Sequence, residues 1–101
     1  MGKNSQISIL TLNVNGLLGN AHRSAIFTYF LLKAYDIVLL QETHVHDAKT
    51  VSLFKREWPG RSFFTIGTTP TSGCAILLRD GLQCHVDCVK YGADSLSLVF
   101  I

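Results

Sequence analysis

The chain has 101 residues, 48% of them hydrophobic, with only two prolines and a formal net charge of +2. That length holds one domain or a piece of one, the apolar content excludes a disordered chain, and the charge is too mild to imply a nucleic-acid partner on its own. No window approaches the about 18 consecutive apolar residues of a membrane span, so no membrane partner is expected.

Met1 to Gln6 leads into a short apolar run broken by threonine and asparagine, without the continuous apolar core and cleavage site of a secretory signal. Gly2 with Ser5 only partly matches a myristoylation pattern, which places the hydroxyl one residue later. Cys74, Cys84 and Cys88 make an odd count without framework spacing, which favours reduced thiols in an intracellular compartment. Cys84, His85 and Cys88 do not read as a zinc site, because on a strand the two thiols stand roughly 13 Å apart.

Ile7 to Val14 is apolar on both alternating faces and reads as a central strand, with Asn13 near its end out of keeping with a core. Asn15-Gly16 signals a turn, and Gly19-Asn20 a second one with Asn20 as helix N-cap. From Ala21 to about Tyr35, Ala25, Ile26, Tyr29, Phe30 and Lys33 fall at helical spacing, and Phe27, Leu31 and Leu32 widen the stripe, which reads as core packing. Asp36 opens the next strand. Its apolar run, Ile37 to Leu40, suits a strand buried on both faces, with Gln41 and Glu42 where it emerges. Strand, helix and strand make a βαβ-sized unit, although the spacing leaves parallel, antiparallel or indirect pairing open.

Ala48 to Glu57 reads as a short amphipathic helix stopped by Trp58-Pro59-Gly60. Ser62 to Ile66 is a short strand, 67–72 a threonine-rich loop, and Gly73 to Leu78 another strand. Arg79-Asp80-Gly81 is expected to make a hairpin turn into a strand over Gln83 to Lys90. Tyr91-Gly92 turns again into Ser95 to Ile101, a strand still running at the last residue, which suggests that 1–101 is the N-terminal portion of one larger domain.

Two strand ends carry chemistry. If the first two strands run side by side in one direction, the amide oxygen of Asn13 and the carboxylate of Glu42 converge at one edge of the sheet. A hard cation such as Mg²⁺ takes oxygen ligands, keeps several waters and needs only one or two carboxylates. Spacing alone favours the simpler reading, in which Asn13 and Asn15 are turn residues and Glu42 is a strand-end surface charge. Lys55, Arg56 and Arg61 around Trp58 allow a DNA contact, but charges on a short surface helix are usually only solvated. His46 reads as an exposed loop histidine, and with His44 it alternates around Val45 near the mouth of the site.

Ile9 to Leu17 (Ile-Leu-Thr-Leu-Asn-Val-Asn-Gly-Leu), Asp36 to His44 (Asp-Ile-Val-Leu-Leu-Gln-Glu-Thr-His) and Ser72 to Leu78 (Ser-Gly-Cys-Ala-Ile-Leu-Leu), in that order and spacing, resemble the endonuclease/exonuclease/phosphatase superfamily. Within it the chain is most similar to the apurinic-type endonuclease domain of LINE-type non-LTR retrotransposons. The resemblance implies an α/β fold, the N-terminal part of a four-layer sandwich of two packed mixed β-sheets with outer helices. It implies Asn13 and Glu42 as the catalytic and metal-site residues, Glu42 as the metal-binding glutamate and Asn13 as the strand-end asparagine of the metal and phosphate site, with Asn15, Gln41, Thr43 and His44 as supporting groups. Asn15 stands where repair enzymes of the superfamily usually carry Asp, which leans toward the retrotransposon branch.

The implied cofactor is Mg²⁺, with Mn²⁺ as an alternative; the implied partner is DNA; the implied location is the nucleus or cytoplasm. The implied reaction is hydrolysis of a DNA phosphodiester to expose a priming 3′-hydroxyl. The family's later Asp-x-Asn and Asp-His motifs do not occur in these 101 residues. With the C-terminal half of the domain absent, there is no general base in this chain, so little or no nuclease activity is expected from it alone. A repair endonuclease or exonuclease, or another phosphoesterase of the superfamily, is the enzyme alternative. A non-catalytic decayed fragment is the alternative of a different class.

Overall fold

The computed structural model describes residues 6–92 and 94–101. The N-terminal pattern of Gly2 and Ser5 lies outside them. The elements run β1 (Ile9–Asn13), α1 (Asn20–Lys33), β2 (Ile37–Gln41), α2 (Ala48–Glu57), β3 (Ser62–Phe64), β4 (Cys74–Leu78), β5 (Val86–Tyr91) and β6 (Leu96–Phe100). The first four strands form a mixed sheet in the order β1-β2-β4-β3, and β5 and β6 pair in a second, two-stranded sheet. The α/β class is as expected. The two sheets pack face to face with both helices outside the larger one, and no further helix layer is found among the described residues.

β2 organises the molecule because its alternate residues serve different cores. Val38 and Leu40 face the helices, where they join Phe27 and Phe30 of α1, Phe54 of α2 and Trp58. Ile37 belongs to the other side with Ile76 and Leu78, against which Leu39, Val86, Leu96 and Leu98 pack from the inter-sheet space. A strand sandwiched in this way has no polar face, which explains its uninterrupted apolar run. Aromatic edges close the helix side: Phe27 and Phe30 meet Trp58 with centroids 5.5 and 6.4 Å apart, and Phe54 meets Phe64 at 6.2 Å. The Trp58 indole N–H donates to the carbonyl of Leu78 at 2.9 Å, so the only polar atom of that ring is satisfied inside the core.

β1 and β2 are adjacent and parallel, with Ile9 opposite Ile37 and Asn13 opposite Gln41. The βαβ unit is therefore formed directly, and both strands end on the same side. β4 runs antiparallel to β2 and to β3. At the opposite end of the sheet, Asp36 accepts from the backbone N–H of Ser8 at 2.9 Å and from Nε of Arg79 at 2.9 Å, tying β1, β2 and β4 together.

Several local expectations are corrected. β1 is an edge strand, not a central one, and Ile9 is 60% exposed, because β2 pairs with it on one flank and the other strands of that sheet, β4 and β3, add on the far side of β2. Gly19, not Asn20, is the N-cap of α1 and makes no side-chain cap; the Asn20 amide oxygen instead accepts from Nη2 of Arg23 at 2.8 Å. The buried face of α1 is narrower than its apolar stripe. It consists of Arg23, Phe27 and Phe30, while Ala25 and Leu31 are exposed and Leu32 is 80% exposed. The helix also stops earlier, at Lys33, where Ala34 turns left-handed with φ 54°.

β3 ends at Phe64 rather than Ile66. The turn after β4 forms, with Leu82 N–H donating to Arg79 O at 3.0 Å, but no β4–β5 hairpin follows. Both flanks of β4 are already occupied by β2 and β3, so the chain leaves the sheet and β5 pairs with β6 instead. α2 keeps its expected bounds, with the side chain of Asp47 accepting from Thr50 N–H at 2.7 Å as N-cap.

Candidate active site

The parallel ends of β1 and β2 continue beyond the regular ladder as two irregular segments stitched together. Val14 N–H donates to Gln41 O, Gly16 N–H to Glu42 O at 2.8 Å and Leu17 N–H to Thr43 O at 2.9 Å. On the other flank Thr43 N–H donates to Gly73 O at 3.1 Å and His44 N–H to Ser72 O at 2.8 Å. Leu17 and Val45 are fully buried and anchor both segments in the helix-side core.

The backbone here is unusual. Asn15, Glu42 and His44 all have positive φ, at 50°, 55° and 66°, and the other such non-glycine residue among those described is Ala34, at the end of α1. A left-handed residue other than glycine costs about 1–2 kcal/mol, and Asn tolerates it better than Glu or His. Strain of this kind concentrates where a structure holds a side chain in a required place.

Glu42 is the group so held. Its Oε2 accepts from Nδ2 of Asn13 at 2.6 Å, and the amide oxygen of Asn13 accepts from the backbone N–H of Asn15 at 2.9 Å. The amide orientation follows from its partners, since a carboxylate only accepts and a backbone N–H only donates. The sequence expectation brought the amide oxygen toward Glu42; the amide nitrogen meets it instead, because the turn at Asn15 claims the oxygen. No hydrogen bond from the described residues takes the second carboxylate oxygen, Oε1, and Glu42 is exposed.

The remaining expected residues divide. His44 is half-buried beside this pair: a Cβ placed on Gly16 would stand 2.5 Å from His44 Nδ1, so glycine is what admits the ring, and Nε2 is buried without a hydrogen-bond partner. Gln41 turns away; its amide nitrogen donates to Thr11 Oγ1 at 3.0 Å and Leu39 O at 3.2 Å, clipping β1 to β2. Thr43 is fully buried, and its hydroxyl oxygen accepts from Val45 N–H at 3.3 Å. A Cβ on Gly73 would come within 2.5 Å of that same oxygen.

Gly16 and Gly73 are thus part of the site's construction, and their signals in the sequence are the Asn15-Gly16 and Ser72-Gly73 pairs. His46 is exposed, with Nδ1 3.0 Å from His44 O.

Lys55 and Arg61 are engaged elsewhere, while Arg56 is exposed on α2. Trp58 is 4% exposed and has no free face to stack on a base. Lys55 hydrogen-bonds the carbonyl of Ser62 and lies over the ring of Phe63, and its burial lowers its pKa. Arg61 donates to Leu82 O and to Cys84 Sγ. The three cysteines are half-buried and unpaired by disulfides.

Among the described residues no group of three or more His, Cys, Asp or Glu side chains is placed to share an ion. A zinc-type cage is therefore not what Glu42 offers. A single exposed carboxylate with one oxygen steadied by an amide and the other open fits a hydrated hard cation, which takes one or two protein carboxylates and fills its shell with water and phosphate oxygens.

The match to a known family covers this arrangement. The model of the Endonuclease/Exonuclease/phosphatase family matches residues 10–94, which include all of β1 but Ile9, β2, β4 and the loops that carry Asn15, Glu42 and Ser72. The chain belongs to this family of phosphodiesterases and nucleases.

Proposed function

We propose that this chain carries the metal-binding half of the active site of a Mg²⁺-dependent DNA endonuclease of the LINE retrotransposon type, with Mn²⁺ able to replace Mg²⁺. The observation that carries the reading is the 2.6 Å contact of Asn13 with Glu42 at the paired ends of two parallel strands. Asn15 in place of the Asp usual in repair enzymes, beside the Gln41-Glu42-Thr43-His44 block, supports the retrotransposon branch over the repair and other phosphoesterase branches.

In this reading the Glu42 carboxylate would hold the cation, Asn13 holds Glu42, and the Asn15 N–H orients the Asn13 amide. The cation, when bound, supplies positive charge to a non-bridging phosphate oxygen and to the departing 3′-oxygen. Water adds to phosphorus, the P–O3′ bond breaks, and the 3′-oxygen leaves as a hydroxyl. Among the described residues none is free to act as a base for that water: the half-buried ring of His44 lies against Gly16, and His46 bonds a backbone carbonyl. The second half of the domain, carrying that base and further phosphate ligands, is the partner the reading requires. With DNA as the proposed substrate, the proposed location is intracellular, the nucleus and/or cytoplasm.

The test has two arms. Mn²⁺ binding followed by water-proton relaxation is expected for the wild-type chain and lost in Glu42→Gln; equal binding by the variant would remove Glu42 from the metal site. Plasmid nicking by the 101 residues is expected to stay at background with and without Mg²⁺. Strong Mg²⁺-dependent nicking would show that the catalytic set is complete without a second half.

A further inference from the structure

We infer that His44 is a positioning residue for Glu42, acting by the shape of its ring against Gly16 and not by proton transfer. Glu42 is itself exposed and projects from a strained left-handed residue, between the half-buried Gln41 and the buried Thr43, and its contact with Asn13 is between two exposed side chains. Exposed pairs of this kind hold poorly unless the backbone on both sides is fixed. On the β2 side the next left-handed residue, His44, with φ 66°, turns its ring inward onto the Asn15-Gly16 turn.

The contact leaves no room for a side chain at position 16, where a Cβ would lie 2.5 Å from Nδ1 and 2.9 Å from Cε1 of the imidazole. Gly16 also donates its N–H to Glu42 O at 2.8 Å. Asn15, one residue earlier, orients the Asn13 amide. The ring is therefore a wedge that presses the turn carrying Asn13 and Asn15 against the segment carrying Glu42. From the far side Ser72 holds it in place by accepting from His44 N–H.

The polar atoms of the ring do not explain its presence. Nε2 is buried and has no partner, an arrangement that is unfavourable for stability and brings no bond in return. A flat ring of this size is what the Gly16 surface accepts, so phenylalanine should serve the same purpose. The inference rests on the reading of Glu42 as the metal ligand, but it is tested without any metal.

The direct readout is the pair of Asn13 side-chain amide protons in the NMR spectrum, one of which is hydrogen-bonded to Glu42. In the wild-type chain the two resonances should be widely separated, and Glu42→Gln should narrow the gap. His44→Ala should narrow it as well while the Leu39 and Leu40 backbone amides keep their positions, and His44→Phe should restore it. Mn²⁺ affinity, measured separately, should fall about tenfold in His44→Ala and recover in His44→Phe, the size typical for loss of a group that orients a ligand.

If His44→Ala unfolds the chain, the comparison becomes His44→Phe against His44→Gln, with the separation kept in the first and lost in the second. An unchanged Asn13 pair in every folded variant lacking the ring, or failure of His44→Phe to restore it, overturns the inference. Absence of Mn²⁺ binding in the wild type with the NMR pattern as expected would overturn the metal reading and leave the positioning role standing.

Discussion

Arg23 of α1 and Glu57 at the end of α2 form a two-point ion pair, with Nε to Oε1 at 2.6 Å and Nη2 to Oε2 at 2.9 Å, although α1 presents an otherwise apolar face to the core. Arg23 is 3% exposed. Its remaining N–H groups reach Leu17 O at 3.0 Å, Leu18 O at 3.3 Å and the Asn20 side chain, and its guanidinium lies 4.2 Å above the ring of Phe54. One side chain thus joins both helices to the loop that follows the Asn13–Gly16 turn.

Removing either partner has unequal consequences. Arg23→Ala strands the Leu17 and Leu18 carbonyls and Glu57, and the loss should be about 3–5 kcal/mol, as for a broken buried pair. Glu57 is the more solvated member, its side chain being 36% exposed. Gln keeps one acceptor but leaves the buried Arg23 guanidinium without its counter-charge, so Glu57→Gln should cost about 2–3 kcal/mol, less than Arg23→Ala. Urea unfolding followed by Trp58 fluorescence measures both, since that ring is packed between the helices.

Acid should weaken the fold through two carboxylates. The backbone N–H of Ser8, and then Arg79, hold the Asp36 carboxyl below its usual pKa against the opposing effect of burial. Arg23 does the same for Glu57. A carboxylate with a depressed folded-state pKa stabilises the fold above its unfolded value, and that contribution disappears as pH falls through the folded value. Stability should therefore decline from about pH 4 downward, and Asp36→Asn should both lower the plateau at neutral pH and flatten the decline. Thermal unfolding across a pH series, wild type against variant, is the measurement.

At position 42 glycine should be tolerated better than alanine. With φ at 55°, a Cβ at this residue is strained whatever the side chain. Glu42→Gly relieves that strain where Glu42→Ala does not, and should be the more stable of the two by about 1 kcal/mol. Both variants should lose Mn²⁺ binding, which would separate the stability of the turn from the function of the carboxylate. Equal stability of the two would mean that the turn stores no strain at Glu42.

Two glycines with positive φ should respond differently to alanine. Gly73, at φ 107°, has Thr43 Oγ1 2.5 Å and Val45 O 3.3 Å from the position a Cβ would take, whereas around Gly81, at φ 85°, that space is open. Gly81→Ala should cost about 1 kcal/mol from backbone strain alone. Gly73→Ala adds a clash beside the buried Thr43 and should cost about 2–4 kcal/mol. Chemical denaturation of the two variants tests the contrast.

Much of the chain was legible locally. The apolar run Ile37 to Leu40 announced a strand buried on both faces, Trp58-Pro59-Gly60 closed α2 where expected, and Asn13 and Glu42 stood out as polar residues at strand ends. These are statements about period and about which residue types can follow one another, and they need no knowledge of neighbours. The meeting of the β1 and β2 ends follows from the sequence only on the condition that the two strands are parallel neighbours, since an amide and a carboxylate at such ends converge.

The failures have a common cause. Ile7 to Val14 has the composition of a central strand, yet β1 lies at the edge, because composition records which faces are apolar and not which flank another strand will occupy. The β4–β5 hairpin failed for the same reason, both flanks of β4 being filled by segments distant in sequence. Arg23 inside the stripe of α1 could not be read as buried without Glu57, which lies 34 residues away.

By itself, then, the sequence determined the order and type of the elements and singled out Asn13 and Glu42 as polar residues at strand ends. Only the tertiary structure decided how those residues meet. Asn13 gives its nitrogen and not its oxygen to Glu42 because Asn15 N–H takes the oxygen. Glu42 and His44 adopt left-handed backbone because segments on both flanks bind the chain between them. Periodicity carries information about faces; orientation is set by hydrogen bonds to partners that only folding brings near.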